Sequence, residues 1–338
     1  MKRSSDNVEK FGLPPNALSS FEHIRTLLEG KRPVVFLDYD GTLAPIVSRP
    51  DQAFMTDTMR AAVKTVAQKF ITAVVSGRST QKVVNFVKLD ELFYAGSHGL
   101  DIKGPSCTLD ENKTPGDGSP AASPAASVAA SPAASVAASA TSASVPPPVK
   151  HRVAQKFVPV LESCRDRILS SIENVLGTES NVEIEDNLLT FSVHYRNAIS
   201  NNISVANQVR KIIDDVLLDS EYQNQLICTA GKMVYEIRPQ VQWNKGTAVL
   251  WLLETLGMRA DDVVALYLGD DVTDEDAFRA LSEKWKGKCA SIVVQGESDV
   301  VDNEEKGVVG YMGRPTSALW SLKDTVEVQQ FLTMLSSV

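Results

Sequence analysis

The sequence predicts an α/β protein: a doubly wound, mainly parallel sheet whose chain is interrupted by an inserted α+β domain. Three observations lead there. Short, wholly apolar runs end in acidic or small polar residues, as in PVVFLD (33–38), ITAVVS (71–76) and VVALYLGD (263–270). Such runs read as strands buried on both faces, and here they alternate with stretches of helical periodicity. Between the two groups of runs lies a unit of different grammar, ordered helix, strand, strand, twice over, with strict two-residue alternation in its strands.

Taken in order, residues 1–30 form a lead-in with one short helix around Ser20 to Glu29, and residues 31–104 form the first part of the core. That part has a strand at 33–38, a helix near Asp57 to Gln68, a strand at 71–76 and another in FYAGSHG (93–99). From Ser119 to Pro148 the chain is almost entirely Ala, Ser, Val and Pro, with SPAASVAA recurring. It has no large side chains to offset ordering entropy, so 114–150 is predicted to be a disordered insert, tolerated as a surface loop. The cap domain is assigned to 105–238, insert included. Its helices are expected at 153–176 and 200–218, and its strands at 181–186, 188–196, 225–230 and 232–238. The core resumes at 239–338 with a helix in WNKGTAVLWLLETLG, strands at 263–270 and 290–295, and a C-terminal helix from about Ser317.

Composition excludes several classes of function. The chain has 338 residues and a net charge of −8. That balance speaks against nucleic-acid or membrane-surface binding. The four cysteines, Cys107, Cys164, Cys228 and Cys289, form no CxxC pair. They point to a reducing compartment rather than a disulfide framework or zinc site. No apolar run approaches the roughly 20 residues of a membrane span. A soluble cytoplasmic monomer is expected, with an organelle address left open because the first residues include basic side chains.

Four short motifs carry chemistry. In LDYDGTLAPI (37–46), the strand period places Asp38 and Asp40 on the same side at a C-terminal strand end, where ligands of such sheets bind. Two carboxylates there repel each other, which a divalent cation relieves. Gly41 permits the sharp turn that follows. LGDDVTDEDAF (268–278) delivers Asp270 and Asp271 to the end of another strand, with Asp274 one turn on. Oxygen ligands without His or Cys favour Mg²⁺ over zinc. VVSGR puts Ser76 at a strand end and Arg78 just beyond, and WNKG puts Lys245 at a helix start. Singly, each is ordinary: a turn, a helix-terminal charge cluster, a solvated lysine. Their order and placement together suit a phosphoryl group.

On these motifs the chain resembles the haloacid dehalogenase superfamily of phosphotransferases. Within it, the chain is similar to the plant-type trehalose-6-phosphate phosphatases, from about Arg32 to the C-terminus outside the insert. FLDYDGTLAPI, VVSGR, AGSHGLDIKGP, SVHYR, YEIRPQVQWNKG and GDDVTDEDAF carry the likeness. The resemblance implies a Rossmann-like haloacid dehalogenase core plus an inserted αββαββ cap. It implies hydrolysis of trehalose 6-phosphate through an aspartyl phosphate with Mg²⁺. Asp38 would be the nucleophile and Asp40 the acid and base, with a carboxyl raised by its surroundings. Ser76 and Lys245 would hold the phosphoryl oxygens. Mg²⁺ would be held by Asp38, the Asp40 carbonyl and Asp270, with Asp271 or Asp274 in support.

Alternation in the cap strands gives an apolar face and a charged one: Ser192, His194 and Arg196 oppose Phe191, Val193 and Tyr195, while Glu236 and Arg238 oppose Tyr235 and Ile237. By pattern the charged face is equally a solvated face. The resemblance makes Glu185, Arg196 and Glu236 sugar-binding residues, with Arg78 and His98 contacting substrate from the core; Arg238 is open to a structural role. Two departures stand out. Leu188 and Val272 occupy positions where the related plant sequences tend to be basic, and the first would remove a sugar contact. The alternatives are a phosphatase for another sugar phosphate, such as sucrose 6-phosphate, and a non-catalytic sugar-phosphate sensor. Cap closure about segments near Lys103 and Pro239 is the expected motion.

Overall fold

A computed structural model describes residues 14–47, 49–105, 149–199, 204–231, 233–295 and 315–338. Among them, eight strands form one sheet: β1 (Arg32–Leu37), β2 (Ile71–Val75), β3 (Phe93–Gly96), β4 (Asp101–Lys103), β5 (Lys150–Arg152), β10 (Val263–Gly269), β11 (Cys289–Val294) and β12 (Trp320–Leu322). A second sheet holds β6 (Glu183–Asp186), β7 (Phe191–His194), β8 (Leu226–Gly231) and β9 (Val234–Pro239). The helices are α1 (Phe21–Leu28), α2 (Asp57–Ala67), α3 (Thr80–Val87), α4 (Val158–Leu176), α5 (Arg196–Ile199), α6 (Val205–Leu217), α7 (Lys245–Thr255), α8 (Glu275–Lys284) and α9 (Thr325–Leu335).

The large sheet runs β12-β11-β10-β1-β2-β3-β4-β5, parallel from β12 through β3 and antiparallel over the last two pairings. Its strands are apolar on both faces because helices cover both. One face packs Val35, Leu37 and Leu266 against Phe21 and Ile24 of α1, Met59 and Val63 of α2, Val83 of α3 and Phe331 of α9. The other packs Val34, Phe36, Ala265 and Tyr267 against Val249 and Leu252 of α7 and Phe278 and Leu281 of α8. Each such large apolar side chain contributes roughly 1.5–3 kcal/mol by leaving water. Side-chain caps fix where several helices begin: Thr56 accepts from Met59 N–H at α2, and Asn244 from Thr247 N–H at α7.

The small sheet buries one face only. Phe191, Val193 and Ile237 pack on Ile168 and Ile172 of α4 and Val209 and Ile213 of α6. Its other face turns toward the C-terminal strand ends of the large sheet. The expected arrangement, a mainly parallel core sheet with an αββαββ cap, is therefore present.

Three details differ from the sequence reading. Lys150–Arg152 lies in the expected cap range 105–238, yet it pairs with β4 in the large sheet, so the second layer begins after it. The C-terminal helix starts at Thr325, not Ser317, because Trp320–Leu322 is a buried strand extending the sheet beside β11. The helix expected from 153 begins at Val158, after a 3₁₀ turn at Gln155–Phe157. The insert at 114–150 lies outside the described residues up to 148. Among the described residues, no helix is long and apolar enough to cross a membrane.

Candidate active site

The chain runs outward from β1 to β2 and β3 on one side, then returns at β10 on the other side of β1 and runs to β11 and β12. The crevice of a doubly wound sheet opens at such a reversal, beyond the C-terminal strand ends. The register pairs Leu37 with Leu268, so Asp38 and Asp270 leave adjacent strands almost side by side. Asp38 N–H still bonds Leu268 O at 2.9 Å, which fixes the start of the loop. Gly41 then turns at φ +79°; a Cβ there would lie 2.0 Å from Asp270 Oδ2. Only glycine lets the first loop pass that close to the second carboxylate.

Lys245, the first residue of α7, reaches into the crevice and is 3% exposed. Its Nζ donates to Asp38 Oδ1 and Asp274 Oδ1, each at 2.7 Å. Tyr267 OH donates to the same Asp274 oxygen at 2.6 Å, and Asp271 N–H donates to Oδ2 at 3.0 Å. Burial pushes the Asp38 carboxyl well above its ordinary range; Lys245 opposes this and the Asp274 charge reinforces it. Burial and the charges of Asp38 and Asp274 push Asp270 up likewise. Burial would lower Lys245, but Asp274 and Asp38 outweigh it and hold the ammonium above its usual value.

Three carboxylates share this pocket with one ammonium. Asp38, Asp270 and Asp274 each offer an oxygen within 4.8 Å of the others, and Asp270 Oδ1 is buried with no hydrogen-bond partner. Hard oxygen donors with surplus negative charge suit Mg²⁺. Asp271 stands outside this trio; its carboxylate caps the 3₁₀ turn at Val272–Asp274.

Around this pocket the other expected residues fall into place at different depths. Ser76 directly follows β2 and is buried; its Oγ accepts from Arg78 N–H at 3.1 Å. The Arg78 guanidinium forks onto Asp40, Nε to Oδ2 and Nη2 to Oδ1, both at 2.7 Å. Burial acts against the Arg78 charge, but the Asp40 hydrogen bonds and charge outweigh it and raise its pKa. Asp40 thus accepts through both carboxylate oxygens from one guanidinium. His98 sits in a left-handed turn at φ 56°, after Ser97 at φ 49°. Two successive non-glycine residues in that region store strain of the kind found at ligand-facing positions. The strand ends hold the turn: Ser97 N–H bonds Arg78 O and His98 N–H bonds Ser76 O.

The cap completes a cleft of about 920 Å³. Asp38, Asp40, Arg78, His98, Lys245, Asp270 and Asp271 line it from the core; Glu185, His194, Arg196, Glu236 and Arg238 line it from the cap. Thus the charged cap face looks onto the crevice rather than onto open water. Several cap residues also touch the core. His98 Nε2 and Glu236 Oε1 are 2.9 Å apart, Arg196 Nη1 donates to Val47 O at 3.1 Å, and Lys82 Nζ donates to Glu185 Oε1 at 2.9 Å. Burial would raise Glu236, yet the charge and hydrogen bond of His98 and the charge of Arg238 hold it below the ordinary range. Leu188 corrects an expectation. It sits in a left-handed turn at φ 67° beside Leu161 and Arg165, away from the cleft, so its apolar character costs the cleft no contact in this arrangement. Val272 lies at the cleft rim.

The trehalose-phosphatase family model matches residues 36–307. The chain belongs to that family. Among its relatives, "Probable trehalose-phosphate phosphatase 2" of Oryza sativa subsp. japonica is 39% identical over 324 residues, covering 96% of this chain and 73% of the relative. "Trehalose 6-phosphate phosphatase RA3" of Zea mays is 37% identical over 325 residues, covering 96% and 75%. In structure, the C-terminal domain of trehalose-6-phosphate phosphatase from C. albicans matches with TM-score 0.67 at 21% identity, over 97% of this chain and 99% of that one. At that identity the likeness concerns the fold.

This trehalose-phosphatase family member also uses residues that its sequence did not advertise. Asn187 is buried between cap and core: its Oδ1 accepts from Ser79 N–H at 3.3 Å and its carbonyl from Ser97 Oγ at 2.6 Å. It occupies a turn, where no periodicity marks it. Lys82 lies on α3, a helix not anticipated. Tyr267 looks like one more apolar strand residue. His194 was visible as a member of the polar cap face, but its partner, Glu185 at 3.0 Å, was not.

Proposed function

We propose that the protein hydrolyses trehalose 6-phosphate to trehalose and inorganic phosphate, passing the phosphoryl group through Asp38. The observation that carries this reading is the meeting of Asp38, Asp270 and Lys245 at the sheet's switch point under a cap whose polar face closes the same cleft. Family membership supports the substrate.

Asp38 is the nucleophile: a carboxylate needs no base to activate it. Its oxygen attacks phosphorus, and the bond to the sugar oxygen breaks. Asp40 gives that oxygen a proton, then takes one from the water that opens the aspartyl phosphate and restores Asp38. Lys245 and the Ser76 hydroxyl steady the phosphoryl oxygens as charge shifts in the transition state. Asp38, Asp270 and the Asp40 main chain, with Asp274 or Asp271 in support, would hold Mg²⁺, which would supply charge neutralisation at the phosphate and so favour attack by an anion. Glu185, Arg196, Glu236 and His98 hydrogen-bond the sugar hydroxyls, and Arg78 stands beside the phosphate. Closing the cap on the sugar excludes water from the reacting centre.

The test is phosphate release with Mg²⁺ from trehalose 6-phosphate, sucrose 6-phosphate and glucose 6-phosphate, with Asp38→Asn as the blank. Preference for trehalose 6-phosphate, abolished in the variant, is the expected result. Turnover of another sugar phosphate alone overturns the substrate and keeps the chemistry. Binding without turnover overturns the enzyme and favours a sensor.

A further inference from the structure

The turn that carries His98 needs support from outside itself. Ser97, His98 and Gly99 take φ values of 49°, 56° and 87° in succession. Residues with a Cβ adopt positive φ singly and at a cost, so two of them side by side must be held there. Main-chain bonds to Arg78 and Ser76 supply part of the hold. The rest comes from the cap. Ser97 is buried, and its hydroxyl donates to the Asn187 carbonyl at 2.6 Å.

Asn187 sits in the turn between β6 and β7, and that turn is docked on the core. Asn187 Oδ1 accepts from Ser79 N–H at 3.3 Å, and Lys82 Nζ donates to the Asp186 carbonyl at 3.0 Å. Leu189 is fully buried against Leu100 and Ala154. If this edge of the cap lifts, Ser97 loses its acceptor and the strained turn loses a buried hydrogen bond. What the turn delivers is His98. Its ring lies so close over Gly77 that a Cβ there would stand 2.9 Å from Cε1 and Nε2. From that place Nε2 reaches Glu236 Oε1 of β9 at 2.9 Å, in the wall of the cleft. The cap therefore touches this histidine at its tip and, through Ser97, holds its base.

We propose that Ser97 is a positioning residue: its bond to the docked β6–β7 turn holds the strained turn that aims His98 into the cleft. The inference rests on the sugar-contact role given to His98 above. It makes sugar recognition from the core depend on the cap, because the histidine is in place only while this edge of the cap is seated.

The test compares Ser97→Ala with Ser97→Gly. Alanine keeps the φ strain and drops the hydroxyl; glycine drops both. A tether that serves the turn is missed in the first and not in the second, whereas a tether that serves only cap docking is missed equally in both. One readout is the His98 ring signal in the magnetic resonance spectrum of the full chain with isotope-labelled histidine, assigned among the four histidines by its loss in His98→Ala. The other is KM and kcat for trehalose 6-phosphate. Ser97→Ala is expected to shift the His98 signal and to raise KM about tenfold with kcat within about twofold. Ser97→Gly is expected to keep both near those of the parent. Added to His98→Ala, Ser97→Ala is expected to raise KM no further. An unmoved signal in Ser97→Ala, equal losses in Ser97→Ala and Ser97→Gly, or losses that add to those of His98→Ala overturn the inference. Should Ser97→Ala not fold, Leu189→Ala, which loosens the same edge from the cap side, is expected to shift the His98 signal; an unmoved signal there overturns the inference as well. A parent protein without activity on trehalose 6-phosphate defeats the functional reading, and the ring signal still decides whether the cap sets His98.

Discussion

Lys245 is the residue on which the pocket's charge balance turns. Removing it leaves Asp38 and Asp274 facing each other and Asp270 without the 2.7 Å contacts that now tie two of the three together. Breaking a buried ion pair on one side costs roughly 3–5 kcal/mol. Lys245→Met is therefore expected to lower the urea midpoint sharply in the presence of a chelator, and added Mg²⁺ is expected to recover part of the loss. A variant as stable as the parent in chelator would show that the carboxylates do not carry the charge assigned to them. Gly41 gives a second prediction. Its φ of +79° and the 2.0 Å approach of Asp270 Oδ2 leave no room for a methyl group. Gly41→Ala is expected to displace Asp270 and to raise the Mg²⁺ concentration for half-maximal thermal stabilisation by about tenfold; an unchanged Mg²⁺ titration would remove Asp270 from the metal site. Asp38, Asp270 and Lys245 were legible in the sequence because each sits where an apolar run or a helix visibly starts or stops. Asn187, Lys82 and Tyr267 were not, since their roles depend on partners 90, 103 and 7 positions away that no local pattern connects.

Strand β6 carries a pH dependence of its own. Burial works to raise the Glu185 carboxyl, but hydrogen bonds from His194 and Lys82 and the charges of Lys82 and Arg78 outweigh it and hold it at about 2, below the ordinary 4.5. A carboxyl lowered by folding adds stability that is complete above pH 4.5 and is lost as pH falls toward 2. The full contribution is about 3 kcal/mol. Glu185→Gln is expected to flatten the fall in unfolding free energy over that window, measured by denaturant titration from pH 5 downward on the acid side. An equally steep fall in the variant would place the acid sensitivity elsewhere. Elements differed in legibility for a related reason. Long buried strands such as β1 and β10 announce themselves by composition. The three-residue β12 does not: Trp320–Leu322 is too short a run to show a period, and it is the pairing with β11 that makes it a strand. Residues near Asn16 then cover that edge, with Ala17 N–H bonded to Ser321 O at 2.8 Å, which blunts it against further pairing.

At the scale of the molecule, the discontinuous core was readable because the strand grammar breaks and resumes. The place where it breaks was not, because β4 and β5 are far apart in sequence. They are neighbours in the sheet: Lys103 pairs with Lys150, and Gly104 N–H bonds Val149 O at 2.6 Å. The two chain ends flanking residues 106–148 are thus held by the sheet itself. Replacing that segment with a linker of about four residues is expected to preserve kcat/KM within about twofold and to shift stability by no more than about 2 kcal/mol, because closure entropy grows only with the logarithm of length. A larger loss would give the segment a part in the fold. The pairing of β4 with β5 also makes this junction an expansion joint. Chain can be added or removed there while the frame around the crevice keeps its dimensions, so a reporter domain grafted at that point would ride on the enzyme without sitting in the path of its substrate.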